Sequence, residues 1–327
     1  MNHHERVNRA VLNQYVDRPP SSLYSTSIEY ETRMMDYLGF TTLEEMYTDF
    51  GIDIWRNRVL PVYVGPRKND VTEGRPWAEC GSIDKVEEFP FPMSLDWDTT
   101  DMVKDMEAHQ GFVQLVGTMT DGYVPGIWHM YHDMCGMENA LCFLKEQPEV
   151  TKAMLRRITD YWLGYLMRIF DKGYKYIDIW QDMNDFGTQR STIISPADFR
   201  EFIKPCLKRI HDTVADFGKL RMQHSCGAID PIIPDFIEMV DILNPIQVSA
   251  DGMDITTLHS KYYGLITFFG GIDTQQFMRH ATEREVREKV REMKRLFPTG
   301  YILAGSHELK DDIPLANAIA MFDENLQ

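Results

Sequence analysis

A parallel α/β barrel is the fold class this chain predicts, and three observations predict it. Seven short, β-leaning apolar runs recur along the 327 residues, segments of helical period separate them, and polar residues collect where the runs end. Strand, turn and helix repeated in that order call for a parallel sheet with helices outside it. Seven runs without an internal repeat or a disordered linker suit a (β/α)8 TIM barrel in one domain, 1–327, better than an open sheet. The missing strand is expected within 21–40 or 83–100, and residues 1–58 read as an N-terminal helical extension.

Taken in order, the candidate strands are Val59–Val64, Gly111–Gly117, Tyr174–Trp180, Leu220–His224, Val240–Asn244, Leu265–Gly270 and Tyr301–Ala304. Helices are predicted where apolar positions recur every three or four residues. Such positions are Val150, Met154, Ile158, Trp162, Tyr165 and Ile169, then Phe199 to Val214, then Val286, Val290, Met293 and Leu296. Ser195-Pro196 sets a capping hydroxyl before a proline suited to a first helical turn. Thr282-Glu283-Arg284-Glu285 reads as a capping box.

Composition narrows the partners. Lys and Arg number 34 against 50 Asp and Glu, a formal net charge of −16. Such a surface disfavours nucleic acid and anionic membrane, and it suits a strongly anionic substrate only through a local basic pocket. The five scattered cysteines make no disulfide framework, so a reducing cytoplasm is expected. The start of the chain lacks the apolar core of a signal peptide, and no run approaches a membrane span.

The sharpest chemical signal is His224-Ser225-Cys226-Gly227. On an extended backbone residues i and i+2 point the same way, so this imidazole and thiol can supply half of a tetrahedral zinc site. In a parallel barrel, reactive groups gather at the carboxyl ends of strands. The other exits carry Gln181, Asp182, Asn184, Asp185 and Gln189, then Pro245, Gln247 and Ser249, then Gly271, Asp273 and Gln275, then Ser306, His307 and Glu308. His307 is the expected third metal ligand, with Asp182 or Glu308 available for a fourth position. Strand exits favour Asp, Asn, Gly and Ser for turns alone, so Asp182 and Asp185 read either as helix caps or as functional carboxylates. Asn244-Pro245 reads either as a turn or as part of the site. A second cluster, His129, His132 and Cys135, reads as pocket or packing, because Pro125-Gly126 precedes it and the helix is expected to begin near Gly136-Met137-Glu138.

Gln223-His224-Ser225-Cys226-Gly227, Asp241-Ile242-Leu243-Asn244-Pro245-Ile246-Gln247 and Gly270-Gly271-Ile272-Asp273-Thr274-Gln275 together resemble the uroporphyrinogen decarboxylase superfamily. Residues 301–307, Pro314 and Asn317 fit the same pattern, so the resemblance spans about 135–325 and is weak before that. It implies a (β/α)8 barrel but hosts at least two chemistries. One branch decarboxylates uroporphyrinogen without a cofactor, using an arginine-rich N-terminal segment. Here residues 17–30 lack that cluster and Glu29 and Glu31 stand nearby, which is unfavourable for an octa-anion by several kcal/mol (about 4 for a close charge pair).

The other branch comprises zinc-dependent methyltransferases that work with corrinoid proteins and carry a His-x-Cys pair plus a later cysteine. His224 and Cys226 match the pair, whereas Ser306 and His307 stand where the later cysteine is expected. The resemblance therefore implies a Zn2+ held by His224, Cys226 and His307. It also implies a corrinoid (cobalamin) on a partner protein, and methyl transfer from a small O-methyl donor such as a methoxylated aromatic compound. Asp182 and Asp185 would be the catalytic or orienting carboxylates. His129, Trp180, Asn244, Gln247 and Asp273 would contact substrate, with Trp128 and Tyr131 as apolar wall. The alternatives are a cofactor-independent decarboxylase and a non-catalytic corrinoid- or tetrapyrrole-binding member. A homodimer is compatible with either.

Overall fold

The structure is a computed structural model that describes residues 1–24, 26–66, 70–118 and 126–327. The described residues form nine strands: β1 (Ile54–Arg56), β2 (Val62–Tyr63), β3 (Trp97–Asp98), β4 (Val113–Gly117), β5 (Ile179–Met183), β6 (Leu220–His224), β7 (Ile242–Ile246), β8 (Thr267–Gly270) and β9 (Tyr301–Ile302), with helices between most of them. Seven of them form one parallel sheet in the order β1-β4-β5-β6-β7-β8-β9, while β2 and β3 make a separate antiparallel pair. The sheet edges are brought together by residues 20–22. Ser22 N–H donates to the Leu303 carbonyl, Leu303 N–H to Pro20, and Asp53 N–H to Ser21. The result is a TIM-barrel-like α/β fold, with this extended segment at the start of the range where the eighth strand was expected.

Two apolar layers explain why the sequence folds this way. Alternate strand residues point to opposite faces. Val113, Leu115, Ile179, Met222, Ile242, Phe269 and Ile302 fill the interior, joined by Val7 from the helix His3–Val11. Their neighbours Val116, Trp180, Leu243 and Phe268 belong instead to the larger core beneath the helices. The helix Pro148–Gly173 buries Met154, Leu155, Ile158, Trp162, Tyr165 and Ile169, as its period predicts. The capping box at Thr282 and Glu285 and the cap at Ser195 both form.

Several expectations are corrected. The run Val59–Val64 does not supply a barrel strand: β2 pairs with β3, and the sheet strand is the three-residue β1, too short to show a period of its own. The strand expected from Tyr174 begins at Ile179, because the preceding helix runs on to Gly173. His129, His132 and Cys135 do lie on a helix, Ile127–Cys135, capped at Gly126; Pro125 lies outside the described residues. Residues 1–58 are not only a helical extension, since β1 is a strand of the sheet, Ser21 forms an isolated parallel bridge with Leu303, and the helices Ile28–Leu38 and Leu43–Asp49 lie between them.

A buried ionic centre fastens this N-terminal part. The Asp53 carboxylate accepts from Arg6 Nη1, Arg18 Nη1 (2.8 Å) and the Ser21 N–H (3.0 Å), and His3 Nδ1 lies 2.9 Å away. Burial alone would raise the pKa of this carboxyl, but His3 and the two guanidinium groups hold it below the usual range.

Candidate metal centre

At the carboxyl ends of β5 and β6 three donor atoms converge. His224 Nε2 lies 3.5 Å from Cys226 Sγ and 3.6 Å from Asp185 Oδ1, and one ligand atom from each of the three residues falls within 4.8 Å of the others. The loops that carry them are pressed together by glycine. A Cβ on Gly187 would meet the Cys226 carbonyl oxygen at 2.7 Å, and Gly227 sits at φ +88° with its own Cβ position 2.4 Å from Gly187. Side chains at either position would push the two loops apart. The Cys226 N–H donates to Asp185 Oδ1 (2.8 Å) and Gly227 N–H to Gln247 Oε1 (2.8 Å), which locks the turn.

The histidine is oriented from behind. His224 Nδ1 lies 2.8 Å from Asn244 Oδ1 and 3.0 Å from the Tyr24 hydroxyl, which also accepts from Gln181 Nε2. With the Asn244 oxygen as acceptor, the ring proton resides on Nδ1 and the Nε2 lone pair faces Cys226 and Asp185. Outer partners of this kind fix the tautomer that a metal needs.

Electrostatics distinguish the three groups. Burial pushes the His224 pKa down against the opposing pull of Asp185 and Asn244, so the ring is neutral near pH 7. Burial and then Asp185 push the Cys226 thiol up. Burial would raise Asp185 too, yet His224, the Cys226 N–H and His129 hold it below the ordinary carboxylate range. A neutral imidazole, a thiol and a carboxylate form a mixed N/S/O donor set, which suits zinc and not calcium or magnesium. The residues fit a zinc ion.

The remaining sequence candidates fall in different places. His307 is exposed and is not among these convergent donors, and Glu308 pairs with Lys310 at 3.2 Å. The third donor at this centre is Asp185. Asp182 is fully buried, bonded to Asn184 (2.8 Å), and burial lifts its carboxyl to about 7. It occupies the strand face opposite Gln181, with the helices rather than with the interior. Trp180 shares that face and packs edge-on against Phe170, while Trp128 and Tyr131 are also fully buried. His129 Nε2 lies 4.0 Å from Asp185 Oδ2, Gln247 bridges Gly227 to Gln189, and Asp273 caps the backbone of Gln275, Gln276 and Phe277. Asn244 holds the histidine. Tyr24 escaped sequence reasoning, since its only local signal is the extended Pro19-Pro20 run before it.

This geometry defines a class: a TIM-barrel-like α/β protein with a zinc-competent His/Cys/Asp centre at the strand ends. Residues 97–325 match the model of the uroporphyrinogen decarboxylase (URO-D) family, and the chain belongs to that family. No curated protein matches the chain by sequence. Among solved structures, a methyltransferase from Methanosarcina mazei has a similar fold, with a TM-score of 0.73 at 14% identity over 99% of this chain and 98% of that one. Among the described residues, no helix is long and apolar enough to cross a membrane.

Proposed function

We propose that this chain is a zinc-dependent methyltransferase of the URO-D family. In this reading it moves a methyl group from a small O-methyl donor, such as a methoxylated aromatic compound, to the cobalt of a corrinoid on a partner protein. The observation that carries the reading is the convergence of His224 Nε2, Cys226 Sγ and the Asp185 carboxylate within 4.8 Å. The fold likeness to a methyltransferase supports the reaction class. A single domain, a cytoplasmic setting and a homodimer complete the proposal.

His224, Cys226 and Asp185 would hold the zinc. A zinc ion there supplies a Lewis acid that steadies negative charge on the leaving oxygen. The protein's own groups do the rest. Asn244 and Tyr24 keep the Nε2 lone pair of His224 aimed at the centre. Asp185 is anchored by the Cys226 N–H and keeps its second oxygen 4.0 Å from His129 Nε2, which fixes the carboxylate's orientation at the centre. A corrinoid on the partner protein would supply the acceptor for the methyl group, and the electron pair of the broken carbon–oxygen bond would remain on the leaving oxygen.

The test combines the protein anaerobically with a reduced corrinoid protein and methoxyarenes, methanol or methylamine, following cobalt absorbance. A methyl-cobalt spectrum that chelation abolishes is the expected result. Decarboxylation of a small acid that survives chelation would overturn the reading in favour of the family's other chemistry. Tight corrinoid binding with no turnover would make the chain a carrier.

A further inference from the structure

The motif Gln223-His224-Ser225-Cys226-Gly227 opens on a residue that supplies no donor to the metal centre. Met222 fills the barrel interior, so its neighbour Gln223 faces the helices. Across the sheet this rung reads Asp182, Gln223, Leu243, Phe268. Leu243 and Phe268 are the apolar residues such a layer calls for, whereas an amide there is costly to bury unless its groups are bonded. Gln223 is fully buried and bonded at both ends. Its Nε2 donates to the carbonyls of Asp182 (3.1 Å) and His224 (2.9 Å), and its Oε1 lies 3.3 Å from His211 Nε2. Both carbonyls can only accept, which fixes the amide's orientation, and the facing Oε1 then places the His211 ring proton on Nε2. His211 belongs to the helix Lys204–Asp216 and is fully buried; burial lowers its pKa to about 4, so the ring is neutral. The His224 carbonyl also accepts the Asn184 N–H (3.1 Å), one residue before Asp185. Gln223 therefore ties the last rung before β5 and β6 part toward their donors.

We infer that Gln223 is a positioning residue of the metal centre. It sets the separation between Asp185 on one strand exit and His224 and Cys226 on the other, and His211 holds its amide in place. The inference rests on the zinc reading of this centre and adds to it two residues that touch no donor atom. Zinc bonds its ligands at about 2.0–2.3 Å, so the spacing of the two exits decides whether all three donors can close on one ion. An apolar residue would fill the rung as Leu243 does in β7, but it would leave the two tips without their shared donor.

The test compares melting temperatures without and with added zinc under reducing conditions, so that stability and metal binding are read separately. Gln223→Met keeps the side chain's length and loses its donors. Its zinc affinity should fall about tenfold, the low end for a lost outer partner, and the zinc-induced rise in melting temperature should shrink accordingly. With cobalt(II) in place of zinc, the visible bands of a tetrahedral site should weaken in this variant, because Asp185 no longer stands in reach of the ion that His224 and Cys226 hold. His211→Phe should shrink the zinc rise by less. The double variant Gln223→Met/His211→Phe leaves neither side chain unpaired and should match Gln223→Met alone, since His211 acts only through Gln223. Losses that add in the double variant overturn the role of His211. Val290→Ala, buried in the helix Glu283–Leu296, lowers stability and should leave the zinc rise intact. Equal shrinkage there overturns the inference, because the effect would then be a general loss of stability. A full zinc rise in both Gln223→Met and the double variant overturns it too, and leaves the proposed function standing. A wild type that zinc does not stabilise overturns the function and the inference together.

Discussion

Replacing Asn244 with leucine removes the acceptor that sets the tautomer of His224 while keeping a branched side chain with the same number of heavy atoms. In the native protein Nδ1 has two neighbours, Asn244 Oδ1 at 2.8 Å and the Tyr24 hydroxyl at 3.0 Å. Loss of a partner behind a metal-binding histidine costs about 10- to 100-fold in affinity, or about 1.4–2.7 kcal/mol. Because Tyr24 can still accept from Nδ1, Asn244→Leu alone should fall near the tenfold end. The double variant Tyr24→Phe/Asn244→Leu should approach a hundredfold, since the ring is then free to place its proton on Nε2 and close the lone pair to zinc. The assay is a competition titration against a zinc-binding dye under reducing conditions, with thermal melts alongside. Native zinc affinity in the well-folded double variant would refute the reasoning. So would a loss matched in full by a fall in melting temperature, which would make these contacts structural only.

Further predictions concern pH and stability. Burial and Asp185 hold the Cys226 thiol protonated at neutral pH, while His224 is already neutral, so zinc binding releases one proton. Zinc affinity should rise about tenfold per pH unit between about 6 and 8, and a flat profile in the dye titration contradicts this. Asp182, raised to about 7, keeps a proton that the unfolded chain loses near 3.8, so it lowers stability as pH climbs through that window. His211, lowered to about 4, resists a proton that the unfolded chain takes up near 6.5, so it lowers stability as pH falls. The two slopes oppose each other. Urea denaturation of Asp182→Asn should therefore show stability relative to wild type climbing by about 3 kcal/mol from about pH 4 to 7, and parallel profiles would be inconsistent with a buried, protonated Asp182. Asp53→Ala leaves Arg18 without its carboxylate, while Arg6 keeps Asp17 at 2.7 Å, so the loss in urea should fall at the low end for a broken buried pair, about 3 kcal/mol. Asp53 is held below its ordinary pKa, so its stabilisation is present above that value and fades as acid protonates it.

Much of the fold was legible because its signals are local. The 26-residue helix Pro148–Gly173, the capping box at Thr282 and the strand Leu220–His224 all follow from period and capping chemistry within a few residues. The His224/Cys226 pair was legible for the same reason. What failed was long-range. Ile54–Arg56 becomes a sheet strand through Val113–Leu115, more than fifty residues away, and nothing in its three residues announces it. Strand boundaries decided the rest. With β5 beginning at Ile179 rather than Tyr174, Asp182 moves from a loop into the strand and onto its helix-facing side, whereas Asp185 reaches the centre. Tyr24 touches His224 across 200 residues of sequence, a contact that only barrel closure through Pro20–Ser22 creates. His307 is exposed and is not among the three convergent donors, although its charge reaches His224 and its motif position beside Ser306 is intact.

X-ray absorption at the zinc edge of protein purified anaerobically tests the central claim most directly. The His224, Cys226 and Asp185 site predicts one zinc per chain with a single sulfur neighbour at about 2.3 Å and nitrogen or oxygen neighbours at about 2.0–2.2 Å. In Cys226→Ala the sulfur signal should vanish and the bound zinc fall well below one per chain. A wild-type protein with no stoichiometric zinc, or a spectrum without sulfur, would contradict it.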